Sequence, residues 1–159
     1  MNIHPISSKE DQAIFQIIKT VAAEFSVDRE GFGPADPEVQ QMSKFYLPHK
    51  KSIYYVATID NKIVGGGGIA AFDKRNDICE LRKLFLLPES RGHGIGQALL
   101  NQCLNFATEN GYQQCYLDTL RTMDAAIKLY EKNGFKRLAK PLEGAEHSEA
   151  CDVWMLLDL

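Results

Sequence analysis

Arg91-Gly92-His93-Gly94-Ile95-Gly96 is the stretch of this 159-residue chain whose residue types and spacing are best suited to holding an anion. It follows the apolar run Leu84-Phe85-Leu86-Leu87, closed by Pro88, and leads at once into Gln97-Ala98-Leu99-Leu100. That order reads as a strand, a proline-terminated turn, a glycine-rich loop and the first turn of an amphipathic helix. Such a loop sets unpaired backbone N–H groups at a helix N-terminus, where the helix dipole attracts phosphate. Glycines at the alternate positions 92, 94 and 96 remove the Cβ atoms that would hold an anion away from the backbone, and Arg91 adds a fixed positive charge beside them. The chemistry implied is pyrophosphate binding. A P-loop is excluded, because the loop ends Gly96-Gln97-Ala98 where Gly-Lys-Ser/Thr is required. A dinucleotide fingerprint is excluded too, since the third glycine of G-x-G-x-x-G, counted from Gly92, falls on Gln97.

The elements that must position this loop are legible from periodicity. Residues 2 to 6 suit a short strand, and Ser7-Ser8-Lys9-Glu10 is a capping-box pattern opening a helix whose apolar face is Ile14, Ile17, Ile18, Val21 and Phe25. Val27 to Pro37, with Gly31, Gly33 and Pro34, breaks the pattern before a weaker helix around Pro37 to Tyr46; the loop either borders a substrate or is a plain connection. Ser52 to Ile59 and Lys62 to Phe72 form an antiparallel hairpin about Asp60-Asn61. The glycines at 65 to 68 interrupt its second strand. With no helix start or Lys-Ser/Thr after them, they read as a bulge or as room for a group approaching the sheet rather than as a phosphate loop. Asp77 to Leu87 is the strand before the anion loop. A helix from Ile95 to Asn110-Gly111, a strand from Tyr112 to Asp118, a helix capped by Thr122 and ending at Asn133-Gly134, a strand from Phe135 and a last strand within Cys151 to Leu159 complete the order. In that last strand Trp154 and Leu156 lie on one side, with Val153, Met155 and Leu157 on the other.

Composition narrows the function classes. With 45% hydrophobic and 25% charged residues the usage is that of one soluble globular domain over residues 1–159. A net charge of -3 leaves no basic footprint for nucleic acid. Cys79, Cys103, Cys115 and Cys151 are widely spaced with no Cys-x-x-Cys pair and no signal peptide ahead of them, which predicts reduced thiols and a cytoplasmic location. No apolar run approaches the roughly 20 residues that span a bilayer, so no membrane partner is expected. The histidines have no metal-ligand spacing, and no metal is expected.

Arg91-x-x-Gly94-x-Gly96 resembles the acetyl-CoA pyrophosphate motif Q/R-x-x-G-x-G/A of the GNAT acetyltransferase superfamily. Ala126-Ile127-Lys128-Leu129-Tyr130-Glu131-Lys132-Asn133-Gly134-Phe135 is similar to that family's A-x-x-L-Y-x-x-x-G-F signature. The resemblance covers most of the chain, sharpest over 79 to 138, and the element order is also the family's. It implies a mixed α/β fold with a mostly antiparallel central sheet of about six to seven strands and about four helices. It implies acetyl-CoA as cosubstrate, its pantetheine added like a strand along Leu84, Phe85 and Leu86 and its pyrophosphate on Arg91, Gly92, His93, Gly94, Ile95 and Gly96. The reaction so implied is acetyl transfer by direct attack of an amine, on a small molecule or amino-acid-like acceptor, in a ternary complex. Such transfer needs a neutral amine, stabilisation of an oxyanion and a proton for the departing thiolate.

By the same resemblance Tyr130 is the proton donor and Glu80 the general base. Each has a plainer alternative. Tyr130 suits a core aromatic, and Glu80, a carboxylate costly to bury alone, shares its strand face with Arg82 as an ion-pair partner. Met123 stands where the family often has Asn, leaving Arg121 and Thr122 as nearby candidates for contact with coenzyme A. His147, within Glu143 to Glu149, either borders the acceptor pocket or is simply exposed. An acetyl-CoA sensor without efficient catalysis and a protein N-acetyltransferase are the competing readings, and the last strand offers an edge for a homodimer.

Overall fold

The periodicities resolve into the expected succession of elements. A computed structural model describes residues 1–26, 36–72, 77–145 and 151–159. The strands are β1 (Asn2–Pro5), β2 (Ile53–Ile59), β3 (Lys62–Ala71), β4 (Ile78–Leu86), β5 (Gln114–Thr119), β6 (Lys136–Leu138) and β7 (Val153–Asp158). The helices are α1 (Asp11–Glu24), α2 (Met42–Phe45), α3 (Ile95–Glu109) and α4 (Asp124–Lys132). The loop through Gly31, Gly33 and Pro34 and the segment holding His147 lie outside the described residues. No described helix is long and apolar enough to cross a membrane.

The strands form one sheet in the order β1-β2-β3-β4-β5-β7-β6, antiparallel throughout except for the β4–β5 pair. Its two faces are covered differently. Cys79, Leu81, Leu117 and Met155 pack with Leu100, Cys103 and Ala107 of α3 and with Ile127 and Tyr130 of α4. On the other face Tyr54, Val56 and Phe85 pack with Ile14 and Ile18 of α1 and with Val39, Met42 and Tyr46 of the α2 region. β7 alternates as its sequence implies, with Val153 and Met155 on the α3 face and Trp154 and Leu156 on the other.

Four sequence readings need correction or refinement. Glu10 does reach back to Ser7, accepting from its backbone N–H at 2.9 Å and its hydroxyl at 2.8 Å, but the carboxylate also takes His4 Nε2 at 2.7 Å. These contacts close a turn, and α1 starts after it. The weaker helix splits into a 3-10 turn over Pro37–Gln41 and the short α2. Thr122 does not cap α4; the cap position is Met123, which makes no side-chain capping bond. The last strand, β7, is not an edge, because β6 pairs along its outer side, so a strand-edge dimer would have to use β6 or β1.

The glycine run is explained by packing. A Cβ on Gly66 would stand 2.5 Å from Tyr54 Cε1, one on Gly68 would stand 2.7 Å from Tyr54 Cδ2, and one on Gly65 would strike the Phe85 carbonyl oxygen. Room-making and bulging occur together here. Gly66 lies opposite Phe85 and Gly68 opposite Arg82, so Lys83 and Leu84 together face the single residue Gly67.

Candidate active site

A cleft opens where two parallel strands part. β4 and β5 pair only through Ile78–Gln114, Cys79–Cys115 and Glu80–Tyr116, although β4 runs on to Leu86 and β5 to Thr119. The Leu87 N–H donates to the Val64 carbonyl at 2.9 Å, so strand alternation turns the polar backbone groups of Leu86, and of Leu84 before it, toward the opening. A cavity of about 550 Å³ fills this space. Leu84, Phe85 and Leu86 form one wall, Met123, Ala126 and Leu129 the opposite one, and Val21 of α1 and Phe25 just after it close a side.

The glycine loop forms the end of the cleft. Gly92 and Gly94 both have a φ of 78°, a left-handed conformation that glycine adopts without penalty, and a Cβ on either would meet nothing within 4 Å. Gly94 is the N-cap of α3 and supplies no side-chain oxygen, so the first N–H groups of the helix remain uncapped beside the cleft. The uncapped start of α4 lines the cleft as well, through residues 122 to 126. Two helix N-termini therefore direct partial positive charge into one space. Of the six loop residues Arg91, Gly92, Gly94 and Gly96 line the cleft, whereas Ile95 is buried in the core with Leu99 and His93 is exposed.

Arg91 is held more tightly than a free surface charge. Its Nε and Nη2 donate to the Leu86 carbonyl at 3.1 and 3.0 Å, and its Nη1 and Nη2 donate to the two Glu24 oxygens at 2.6 and 2.7 Å. The guanidinium also stands 5.7 Å from the centre of the Phe25 ring. Of the five N–H donors of an arginine this leaves one uncommitted. The Arg91 hydrogen bonds hold the Glu24 carboxyl below its usual range, so the pair is ionised at neutral pH and weakens only as pH falls through that lowered value. Arg91 thus ties the end of β4 to the last turn of α1.

The two candidates for proton transfer lie on opposite faces of the sheet. Glu80 is 6% exposed on the α1 face and accepts from Arg82 Nε at 2.6 Å, the ion pair that their shared strand face suggested. Tyr130 is also 6% exposed, on the α4 side, with its ring 5.7 Å from that of Phe135. Burial pushes its phenol well above the usual tyrosine value, with Cys103 and Cys115 adding to the effect, so it carries its proton at neutral pH. The hydroxyl has no hydrogen-bond partner among the described residues. Tyr130 sits behind Ala126 and Leu129, which line the cleft from the same helix.

A model of the acetyltransferase (GNAT) family matches residues 18–135, which takes in the second half of α1, the cleft, the loop and α4. The chain belongs to this family. Uncharacterized N-acetyltransferase YjgM of Escherichia coli (strain K12) is 34% identical over 97% of this chain and 92% of its own length. N-acetylaspartate synthetase of Xenopus tropicalis is 33% identical over 64% of this chain but only 37% of its own length. Among solved structures, a GNAT acetyltransferase from Staphylococcus aureus Mu50 superposes with a TM-score of 0.83 at 20% identity, covering 99% of this chain and 98% of that one. A putative acetyltransferase, yncA of Salmonella typhimurium, solved with its cofactor acetyl-CoA, gives a TM-score of 0.76 at 20% identity over 100% of this chain and 94% of that one. These likenesses confirm the GNAT fold, and this chain is a GNAT-family N-acetyltransferase.

Three parts of this GNAT cleft were not read from sequence. Val21 and Phe25 carry no signal beyond a helix's apolar face, Glu24 looks like any solvated helix carboxylate, and Lys132 is one of many surface lysines. Phe25, at the end of its helix and only half-buried, is the one that an apolar residue at a helix terminus could have flagged.

Proposed function

We propose that the cleft holds acetyl-CoA with its pyrophosphate at Gly92, Gly94 and Gly96 and its pantetheine along Leu84 to Leu86, and that the acceptor is the amine of a small, amino-acid-like molecule. One observation carries the reading: the edge of β4 that β5 leaves leads through one short turn into an open glycine cradle at an uncapped helix N-terminus. A strand edge suits the pantetheine amides, and the cradle suits a pyrophosphate, so the residues present fit this cosubstrate. Acetyl-CoA supplies an activated acetyl thioester. The protein's own part is to strip a proton from the amine and to hold one near the sulfur. Glu80, paired with Arg82 at 2.6 Å, suits the first task directly or through a water, and Tyr130 suits the second. The amino-acid-like acceptor is supported by the likeness to N-acetylaspartate synthetase over the shared domain. Free thiols at all four cysteines suit a cytoplasmic location.

Calorimetry with coenzyme A, followed by an assay of thiol release over a panel of amines, amino acids and peptides, tests the whole reading. Absence of coenzyme A binding would remove the cleft's assignment, and turnover only with proteins or peptides would replace the small acceptor.

Glu80→Gln makes a sharper forecast. As general base Glu80 should contribute about 10²–10⁴-fold, with the deficit greatest at the acidic end of the pH–rate profile, where the free amine is protonated. The rate should partly recover as pH rises and solvent deprotonates the amine. A loss of thermal stability with an unaltered pH–rate profile would assign Glu80 to the Arg82 ion pair alone.

A further inference from the structure

We propose that Tyr54 is a positioning residue for acetyl transfer, holding the β4 bulge at Lys83–Leu84 in the shape that turns the Leu84 and Leu86 backbone toward the cleft. This rests on the assignment of that cleft to acetyl-CoA.

The bulge decides what β4 presents. Cys79 and Leu81 pack on the α3 face, and regular alternation would continue with residues 83 and 85. Instead Leu84 and Leu86 pack on that face and Phe85 on the other, because one extra residue has been inserted. The same shift selects which backbone groups face the opening between β4 and β5. Without it the Phe85 groups would point there and the Leu84 and Leu86 groups would pair with β3.

The bulge is maintained from outside. Lys83 has a φ of 52°, uncommon for a residue with a Cβ, so its conformation must be fixed by neighbours. Tyr54 Oη donates to the Lys83 carbonyl at 2.9 Å. The Lys83 ammonium, on a side chain only 7% exposed, meets Asp36 at 2.5 Å and Glu38 at 3.4 Å. Tyr46 donates to the same Glu38 oxygen at 3.0 Å and sets its ring edge-on to Tyr54, 5.5 Å between centres. Carbonyl and side chain of the bulge residue are thus held by one closed set of contacts.

Tyr54 stands on β2, and β3 lies between it and β4. Its hydroxyl reaches Lys83 only because the ring lies flat across β3 at Gly66 and Gly68, where any Cβ would collide with it. The glycine run is therefore the track along which a β2 side chain holds a β4 backbone. That gives it a role in the reaction, beyond relieving crowding.

Tyr54→Phe keeps the ring and removes only the hydroxyl. Amide hydrogen exchange on the ligand-free protein should accelerate about tenfold or more over residues 83–87 while α3 and β7 keep their protection, a local opening. With acetyl-CoA, kcat should fall on the order of tenfold, the effect of a slightly misplaced reacting group, and should exceed any loss in coenzyme A affinity measured by calorimetry. Gly67→Ala, whose methyl would press on the Leu84 side chain at 3.2 Å, should show the same kcat-dominated pattern without touching Tyr54. Wild-type coenzyme A binding, measured first, tests the cleft's assignment separately. Unchanged exchange at 83–87 in Tyr54→Phe, exchange that rises uniformly across the sheet, or faster local exchange with wild-type kcat would each overturn the proposal.

Discussion

Tyr130→Phe is expected to lower kcat by about 10²–10⁴-fold, the range for loss of a general acid, while coenzyme A binding and thermal stability stay at or above wild type. The separation is sharp because of where the side chain lies. The ring is packed against Phe135 and the Leu100–Cys103 side of α3, and phenylalanine preserves all of that. The hydroxyl makes no hydrogen bond to a described residue, so its removal leaves no stranded partner, and burying one polar group fewer is neutral or favourable. A core aromatic without a chemical role would give an unchanged or more stable enzyme with unchanged turnover. Stopped-flow or steady-state rates at saturating acetyl-CoA, alongside a thermal melt, distinguish the cases. A kcat within about threefold of wild type would move the proton donor elsewhere, since such a change is well below the general-acid range.

Gly94→Asp should abolish tight coenzyme A binding without unfolding the protein. Gly94 is in the left-handed region, which aspartate tolerates better than most residues, and it is the N-cap of α3, a position that aspartate favours. Nothing lies within 4 Å of where its Cβ would be. The new carboxylate would occupy the uncapped N–H groups and oppose the pyrophosphate. Two like charges about 5 Å apart at an effective dielectric of about 20 repel by roughly 3 kcal/mol, on the order of 100-fold in affinity. Gly94→Asn, with the same shape and no charge, should bind considerably better than the aspartate variant. If calorimetry finds wild-type affinity in Gly94→Asp, the pyrophosphate does not sit at this loop.

How much of this was legible beforehand depended on the range of the interaction involved. The geometry of the glycine loop could be read because its features are local: the left-handed conformations of Gly92 and Gly94 and the uncapped start of α3 follow from residues within one turn of each other. The stops at Gly111 and Gly134, with φ of 82° and 93°, and the hairpin at Asp60-Asn61, with φ of 48° and 62°, were readable for the same reason. Thr122 carries a capping hydroxyl, but α4 starts one residue later, with Met123 at the cap position and no side-chain capping bond, so a cap-type residue alone does not fix where a helix begins.

The partner of Arg91 could not be foreseen. Glu24 lies 67 positions earlier on a helix surface, and only the approach of α1 to the end of β4 gives Arg91 this carboxylate partner. The glycine run reads from sequence as making room, and what needs the room is a tyrosine ring crossing β3 to a backbone two strands away.

Amphipathic spacing, glycine conformations and capping chemistry, all acting within a few residues, determined the elements, their order and the shape of the glycine loop from the sequence by itself. The tertiary structure alone decided where β4 leaves β5, which backbone groups a single extra residue turns toward the cleft, and that β7 lies inside the sheet. Those features depend on pairing and packing between residues far apart in the chain, whose free energies exist only once the strands have met.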